Sequence, residues 1–178
     1  MITKPFSPRD IFAQPVVNSS RVFLSPQRYI QGPGVIKNCG LYLSLINAKH
    51  VGVLASKRGF SAEAANVLQS LSEAGIEYSK AEFRGECSKE EVERHTNDLM
   101  SAKPDCILAV GGGKLVDAGK CIAYRLNCQV GIIPTLASND APCSSISVLY
   151  TVDGVKDVVE YFPQNPAFVI VDLSLIHI

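Results

Sequence analysis

The sequence lacks an excess of charge of either sign: 17 Lys and Arg stand against 17 Asp and Glu over 178 residues. No electrostatic footprint for nucleic acid or an anionic membrane follows from that balance. It also lacks any apolar run near the ~18 residues that a spanning helix needs. Neither nucleic acid nor membrane is expected as a partner. Six cysteines occur (Cys39, Cys87, Cys106, Cys121, Cys128, Cys143), without a CxxC pair or any metal-ligand spacing. They read as reduced thiols of an intracellular compartment. His50, His95 and His177 are isolated, with no HxxxH, and read as surface or packing residues. From the residues themselves neither a metal site nor a catalytic side chain is expected. What is present is 47% hydrophobic and 19% charged residues, enough for one globular domain with a real core.

The chain is organised around Ile107-Leu-Ala-Val-Gly-Gly-Gly-Lys114-Leu-Val-Asp117-Ala-Gly-Lys120. A short apolar run meets three glycines. A stripe of Leu115, Ile122, Ala123 and Leu126 then gives a helix. Such a strand–turn–helix brings backbone N–H groups and a helix N-terminus to an anion with no side chain in the way. Neither common phosphate motif fits. Leu115 stands where a Walker loop has its hydroxyl, and Val116 where a GxGxxG motif has its last small residue. Lys114, Asp117 and Lys120 add charge where a ligand would sit. The alternative is a glycine turn that only packs a helix close to a strand.

Residues 1–20 follow no period and read as an N-terminal extension. Lys4, Arg9 and Arg21, with Asp10 the lone acid, allow a mitochondrial presequence as the alternative to a cytoplasmic protein with an untargeted tail. Strands are expected at 21–24, 50–55, 76–83, 106–110 and 129–133. Helices are expected over 35–46, from an N-cap at Ser61 to Gly75 on Ala65, Leu68 and Leu71, and from a capping box at Ser88–Glu91 to about 102. Asp153-Gly154 marks a hairpin between 145–151 and 155–161, and 167–171 is a last strand.

Strand and helix alternate from His50 to Ile133, which predicts an α/β fold: a Rossmann-like parallel sheet with flanking helices, plus a β-hairpin. Ligands bind beyond the carboxyl ends of such strands, so the loops 56–61, 111–114 and 134–144 share one edge. Ser56-Lys57-Arg58 offers no acid to a ribose and two cations, which leans toward tolerating NADP; a solvated loop is the alternative. Asp117 could accept a hydrogen bond or place Lys120; a surface ion pair is the alternative. Thr135, Ser138 and Ser144 offer hydroxyls, and Asp140 could hold a polyol or simply form a turn.

The glycine run, with Ile133-Pro-Thr-Leu-Ala-Ser-Asn-Asp-Ala-Pro-Cys-Ser-Ser-Ile-Ser-Val-Leu-Tyr150, resembles the glycerol dehydrogenases of the metal-dependent, iron-containing-type alcohol dehydrogenases. Ser25-Pro-Gln-Arg-Tyr-Ile-Gln-Gly32, Phe83-Arg-Gly-Glu-Cys87 and Asn165-Pro-Ala-Phe-Val-Ile-Val-Asp172 agree. The resemblance implies NAD-dependent oxidation of glycerol or a similar small polyol, assisted by Zn²⁺. It implies a cofactor-binding domain over 21–172, with 173–178 as an unmatched tail. It places Gly112, Gly113, Lys114 and Asp117 along the pyrophosphate, with Thr135 and Ser138 on the cofactor. Ser144, Ile146 and Tyr150 fall at the nicotinamide end, and Asp140 at the glycerol hydroxyls. Ser56 departs from the Asp usual in the family, which leaves NADP open. The family's metal ligands, one Asp and two His, lie in a helical C-terminal domain that this chain does not reach, and His177 matches neither His. The expectation is therefore the cofactor-binding half of an enzyme, inactive alone and homo-oligomeric at full length. The alternatives are a non-catalytic nucleotide-binding module or short isoform, or a relative such as glycerol-1-phosphate dehydrogenase.

Overall fold

The computed structural model describes residues 6–12 and 22–176. In chain order the elements are α1 Pro8–Phe12, β1 Tyr29–Gly32, a 3₁₀ turn Val35–Asn38, α2 Cys39–Ser44, β2 His50–Ser56, α3 Lys57–Phe60 and α4 Glu63–Glu73. Then come β3 Glu77–Phe83, α5 Lys89–Met100, β4 Cys106–Gly111, α6 Gly113–Leu126, β5 Gln129–Pro134, β6 Ile146–Tyr150, β7 Lys156–Tyr161 and β8 Phe168–Asp172. Among the described residues, β1-β8-β5-β4-β2-β3 form a six-stranded sheet, and β6 and β7 a separate two-stranded one. All pairings in the large sheet are parallel, and the hairpin is antiparallel. The expected Rossmann-like sheet and hairpin are both present.

The central strands are apolar on both sides because helices cover both faces. β2 reads buried from Val51 to Ala55, and β4 from Cys106 to Val110. One core layer joins Val51, Val53, Leu108 and Val110 to Ile36 and Leu43 and to Val67 and Leu71 of α4. The other joins Leu54, Ile107, Ala109 and Ile132 to Val92 and Leu99 of α5 and Leu115, Val116 and Ile122 of α6. Helix α6 lies very close to the sheet. A Cβ on Gly119 would stand 2.6 Å from the Ala109 Cβ, so only glycine permits this approach.

The order of the strands fixes where a ligand can enter. From β2 the chain moves outward to β3, then crosses back through α5 to lay β4 on the other side of β2. It continues outward through α6 to β5. The direction of winding reverses between β2 and β4. Such a reversal opens a crevice beyond the carboxyl ends of the two strands.

Several local expectations are corrected. No strand occurs over 22–24, where Val22, Phe23 and Leu24 are exposed; Arg21 lies outside the described residues, as do Lys4 and His177. The edge strand is Tyr29–Gly32, which takes its register from β8. Within the expected extension, Pro8–Phe12 is helical and Phe6 bridges to Tyr161. The segment 35–46 is a 3₁₀ turn followed by a short helix, so Leu41 and Leu45 face outward while Ile36 and Leu43 are buried. Ser61 ends α3 as its C-cap and does not N-cap the next helix; Ala62 stands before α4, whose buried face carries Ala64, Val67 and Leu71 and leaves Ala65 exposed. The 56–61 segment holds the short helix α3, capped by the Ser56 hydroxyl accepting from Gly59 N at 3.0 Å. At α5 half of the capping box forms: Ser88 Oγ accepts from Glu91 N, while the Glu91 carboxylate turns to Arg84 N.

Candidate functional site

β4 ends at Gly111, and α6 starts at Gly113. Gly112 between them is extended, and no side chain caps the helix among the described residues. The N–H groups of the first turn therefore have no partner within the helix and lie at the positive end of its dipole. The loop after β5 packs directly on this turn. Thr135 N donates to Gly111 O at 3.1 Å. A Cβ on Gly112 would meet Leu136 at 3.2 Å, and one on Gly113 would meet Asn139 Nδ2 at 3.0 Å. The β4 and β5 loops thus form one surface. Ser56 ends β2, whose residue Ala55 pairs with Val110 of β4, so it borders the same crevice; its hydroxyl is spent on α3.

Lys114 is exposed at the mouth. Its Nζ bonds Glu86 Oε2 at 2.6 Å and lies 5.7 Å from the centre of the Tyr150 ring. The hydrogen bond to Glu86 raises its pKa above the usual lysine value, so it stays a cation. Asp117 accepts a hydrogen bond and holds Lys120, as one of the expected readings has it, but the two depart from the expected open charge. They do not add open charge beside a ligand, because the β6–β7 hairpin covers their face of α6. Asp117 is 9% exposed and Lys120 3%. Asp117 Oδ2 accepts from Val148 N at 3.0 Å, its carbonyl accepts from Ser147 Oγ at 3.0 Å, and Oδ1 pairs with Lys120 Nζ at 2.9 Å. This is a buried clamp, not a surface ion pair.

Beyond the clamp lies a shallow, open depression of about 330 Å³, lined by Asp140, Cys143, Ser144, Ile146 and Asn165 among others. Three expected site residues, Asp140, Ser144 and Ile146, meet there. Thr135 is half-buried beside the glycine turn, and Ser138 is exposed. Asn139 Oδ1 accepts from Ala141 N at 3.1 Å, and Asn165 Nδ2 donates to Cys143 O at 2.6 Å. Glu86, Lys120 and Asn165 shape this region without having been singled out as binding residues. Lys120 carried a signal as a charge beside the glycine turn, and Glu86 and Asn165 lie in stretches that carry the family resemblance.

The uncapped first turn of α6 has the chemistry to receive an anion such as a pyrophosphate. A metal finds no such fit: among the described residues no three His, Cys, Asp or Glu side chains converge. Among the described residues, no helix is long and apolar enough to cross a membrane.

Fold and site define a Rossmann-like α/β domain with an anion-receptive glycine turn at the strand reversal. The chain belongs to the iron-containing alcohol dehydrogenases, whose family model matches residues 26–173. It is 38% identical over 156 residues to a glycerol dehydrogenase of Escherichia coli O6:H1, covering 88% of this chain and 42% of that protein. A glycerol dehydrogenase of Thermotoga maritima is 36% identical over 151 residues, covering 85% of this chain and 41% of that protein. The crystal structure of glycerol dehydrogenase from Schizosaccharomyces pombe superposes with a TM-score of 0.80 at 36% identity, over 88% of this chain and 40% of that one. The chain thus spans about two fifths of the length of these relatives.

Proposed function

We propose that this chain is the nucleotide-binding domain of an NAD-dependent glycerol dehydrogenase. One observation carries the reading. The 14-residue α6 opens, without a side-chain cap, on three glycines at the carboxyl edge beside the strand reversal. Its likeness to glycerol dehydrogenases supports the choice of a small polyol as substrate.

When bound, a nicotinamide supplies the hydride acceptor. This chain's residues bind and orient. N–H groups of Gly113 and Lys114 take the pyrophosphate, and the Lys114 ammonium adds a charge at its edge. Thr135 and Ser138 offer hydroxyls to the cofactor. Ser144, Ile146 and Tyr150 border its nicotinamide end. Asp140 accepts hydrogen bonds from the polyol. Ser56 stands at the adenosine end without a carboxylate, so a 2′-phosphate meets no repulsion there and NADP joins NAD as a candidate. The setting we infer is cytoplasmic and reducing, consistent with six unpaired cysteines, and the full-length assembly is a homo-oligomer.

Titration with NADH, followed by its fluorescence, tests the reading. The wild-type chain is expected to bind. Gly113→Val is expected to weaken binding by about tenfold or more, because branched carbons would stand between phosphate and backbone. The fold should survive, since the nearest atom to the new Cβ is the end of the Asn139 side chain. No binding by the wild type, or equal binding by the variant, would sink the assignment.

A further inference from the structure

Lys120 has no part in the cofactor and substrate contacts above, yet its side chain is only 2% exposed. Its Nζ is surrounded by acceptors. Besides Asp117 Oδ1 at 2.9 Å, it reaches Ala141 O at 2.9 Å and both the carbonyl and Oγ of Ser144 at 3.4 Å. It also donates to Ile146 O. A lysine ammonium has only donors, and a buried one must collect acceptors or be excluded from the fold. Here three backbone carbonyls of one short stretch turn inward to it. A fourth, Cys143 O, turns to Asn165. With its carbonyls held this way, the stretch presents Asp140, Cys143, Ser144 and Ile146 to the depression.

We propose that Lys120 is a positioning residue of the polyol site: its buried charge, not its bulk, fixes 141–146. Through Asp117 it ties that wall to the first turns of α6, where the cofactor phosphates would bind. The Asp117 carboxylate is held to the hairpin by Val148 N, and its backbone carbonyl by Ser147 Oγ. The substrate part of this inference rests on the function proposed above; the fastening of the loop does not.

Cys143 gives a local reporter. It lies in the fastened stretch and is half-buried, and burial raises its thiol pKa, so alkylation of the native chain is slow. Cys128, also half-buried but outside the loop, is the internal reference. Lys120→Met alone would strand the Asp117 carboxylate. The decisive variant is therefore Asp117→Asn with Lys120→Met, which removes both charges and keeps the volume. Labelling of the 178-residue chain with iodoacetamide, read by peptide mass spectrometry, is expected to be about tenfold or more faster at Cys143 in this folded variant. Labelling at Cys128 should be unchanged. Lys120→Arg, which keeps the charge in a larger planar group, is expected to fall between.

A folded double variant that labels Cys143 at the wild-type rate would overturn the proposal. So would an Arg variant that labels as fast as the double variant, since charge would then have no role. Glycerol is expected to slow Cys143 labelling in the wild type and not in the double variant, against a viscosity-matched polyethylene glycol control. A wild type that glycerol fails to protect, beside a fast-labelling double variant, would count against the polyol reading and leave the fastening in place.

Discussion

Asp172 shows how much one carboxylate can organise. It is fully buried at the end of β8, and accepts from Gly34 N at 2.9 Å, Ile36 N at 3.1 Å, Ser174 N at 2.9 Å and Ser174 Oγ at 2.6 Å. Burial alone would raise its pKa. The bonds from Ser174, Ile36 and Gly34 outweigh that and hold the carboxyl below the usual aspartate value. A carboxyl that is more acidic when folded stabilises the fold above its unfolded pKa of about 3.9, and that stability is lost as pH falls through the folded pKa. Asp172→Ala strands several buried donors and is expected to cost about 3 kcal/mol or more by urea unfolding at neutral pH. Asp172→Asn should retain part of this and flatten the loss of stability in acid. A wild-type midpoint for the Ala variant would show that the bonds carry little.

At the scale of elements, α6 both packs very close to the sheet and bears the site. Its contact with β4 through Gly119 leaves no room for a side chain. Gly119→Val should therefore destabilise by about 1–3 kcal/mol through overpacking, and weaken NADH binding by shifting the helix start. A variant with wild-type stability would mean that the helix can lift from the sheet freely. This helix, with β2 and β4, is legible in the sequence because each signal is local: a buried apolar run, a glycine turn, a stripe of period 3.6. Other features depend on distant partners. Val22–Leu24 is as apolar as a strand but pairs with no strand among the described residues, whereas Tyr29–Gly32, with its Gln and Gly, becomes one beside β8. Asp117 and Lys120 look like surface charges until the hairpin, about 30 residues on, covers them. Ser56 is visible as the end of a strand, but its use as a helix cap follows from α3, which is too short to show a period.

For the molecule as a whole, acid and concentration are the relevant variables. His95 is 1% exposed, and its Nδ1 has no hydrogen-bond partner among the described residues. Burial, and then the Arg94 charge, lower its pKa against the pull of Glu91. A base harder to protonate when folded gives its full stability above the unfolded value of about 6.5, and loses it as pH falls from there. The melting temperature is expected to fall from pH 7 to pH 5.5, and His95→Phe to flatten that slope; parallel slopes would exclude His95 as the cause. At neutral pH the chain has no net charge to keep copies apart. Leu136 beside the glycine turn, and Val152 and Val155 on the hairpin, are more than half exposed. Self-association that grows with concentration is the expected result by sedimentation velocity, and a concentration-independent monomer would contradict it.

The pairing of β1 with β8 carries a consequence for biosynthesis. Gly34 and the Asp172 carboxylate that receives its N–H lie 138 residues apart in sequence. On a ribosome adding about 5–20 residues per second, β1 is made roughly 7–28 seconds before its neighbour β8. During that interval the nascent chain can assemble β2 to β5, but its first strand has nothing to pair with. Slow codons between 40 and 165 would lengthen the wait.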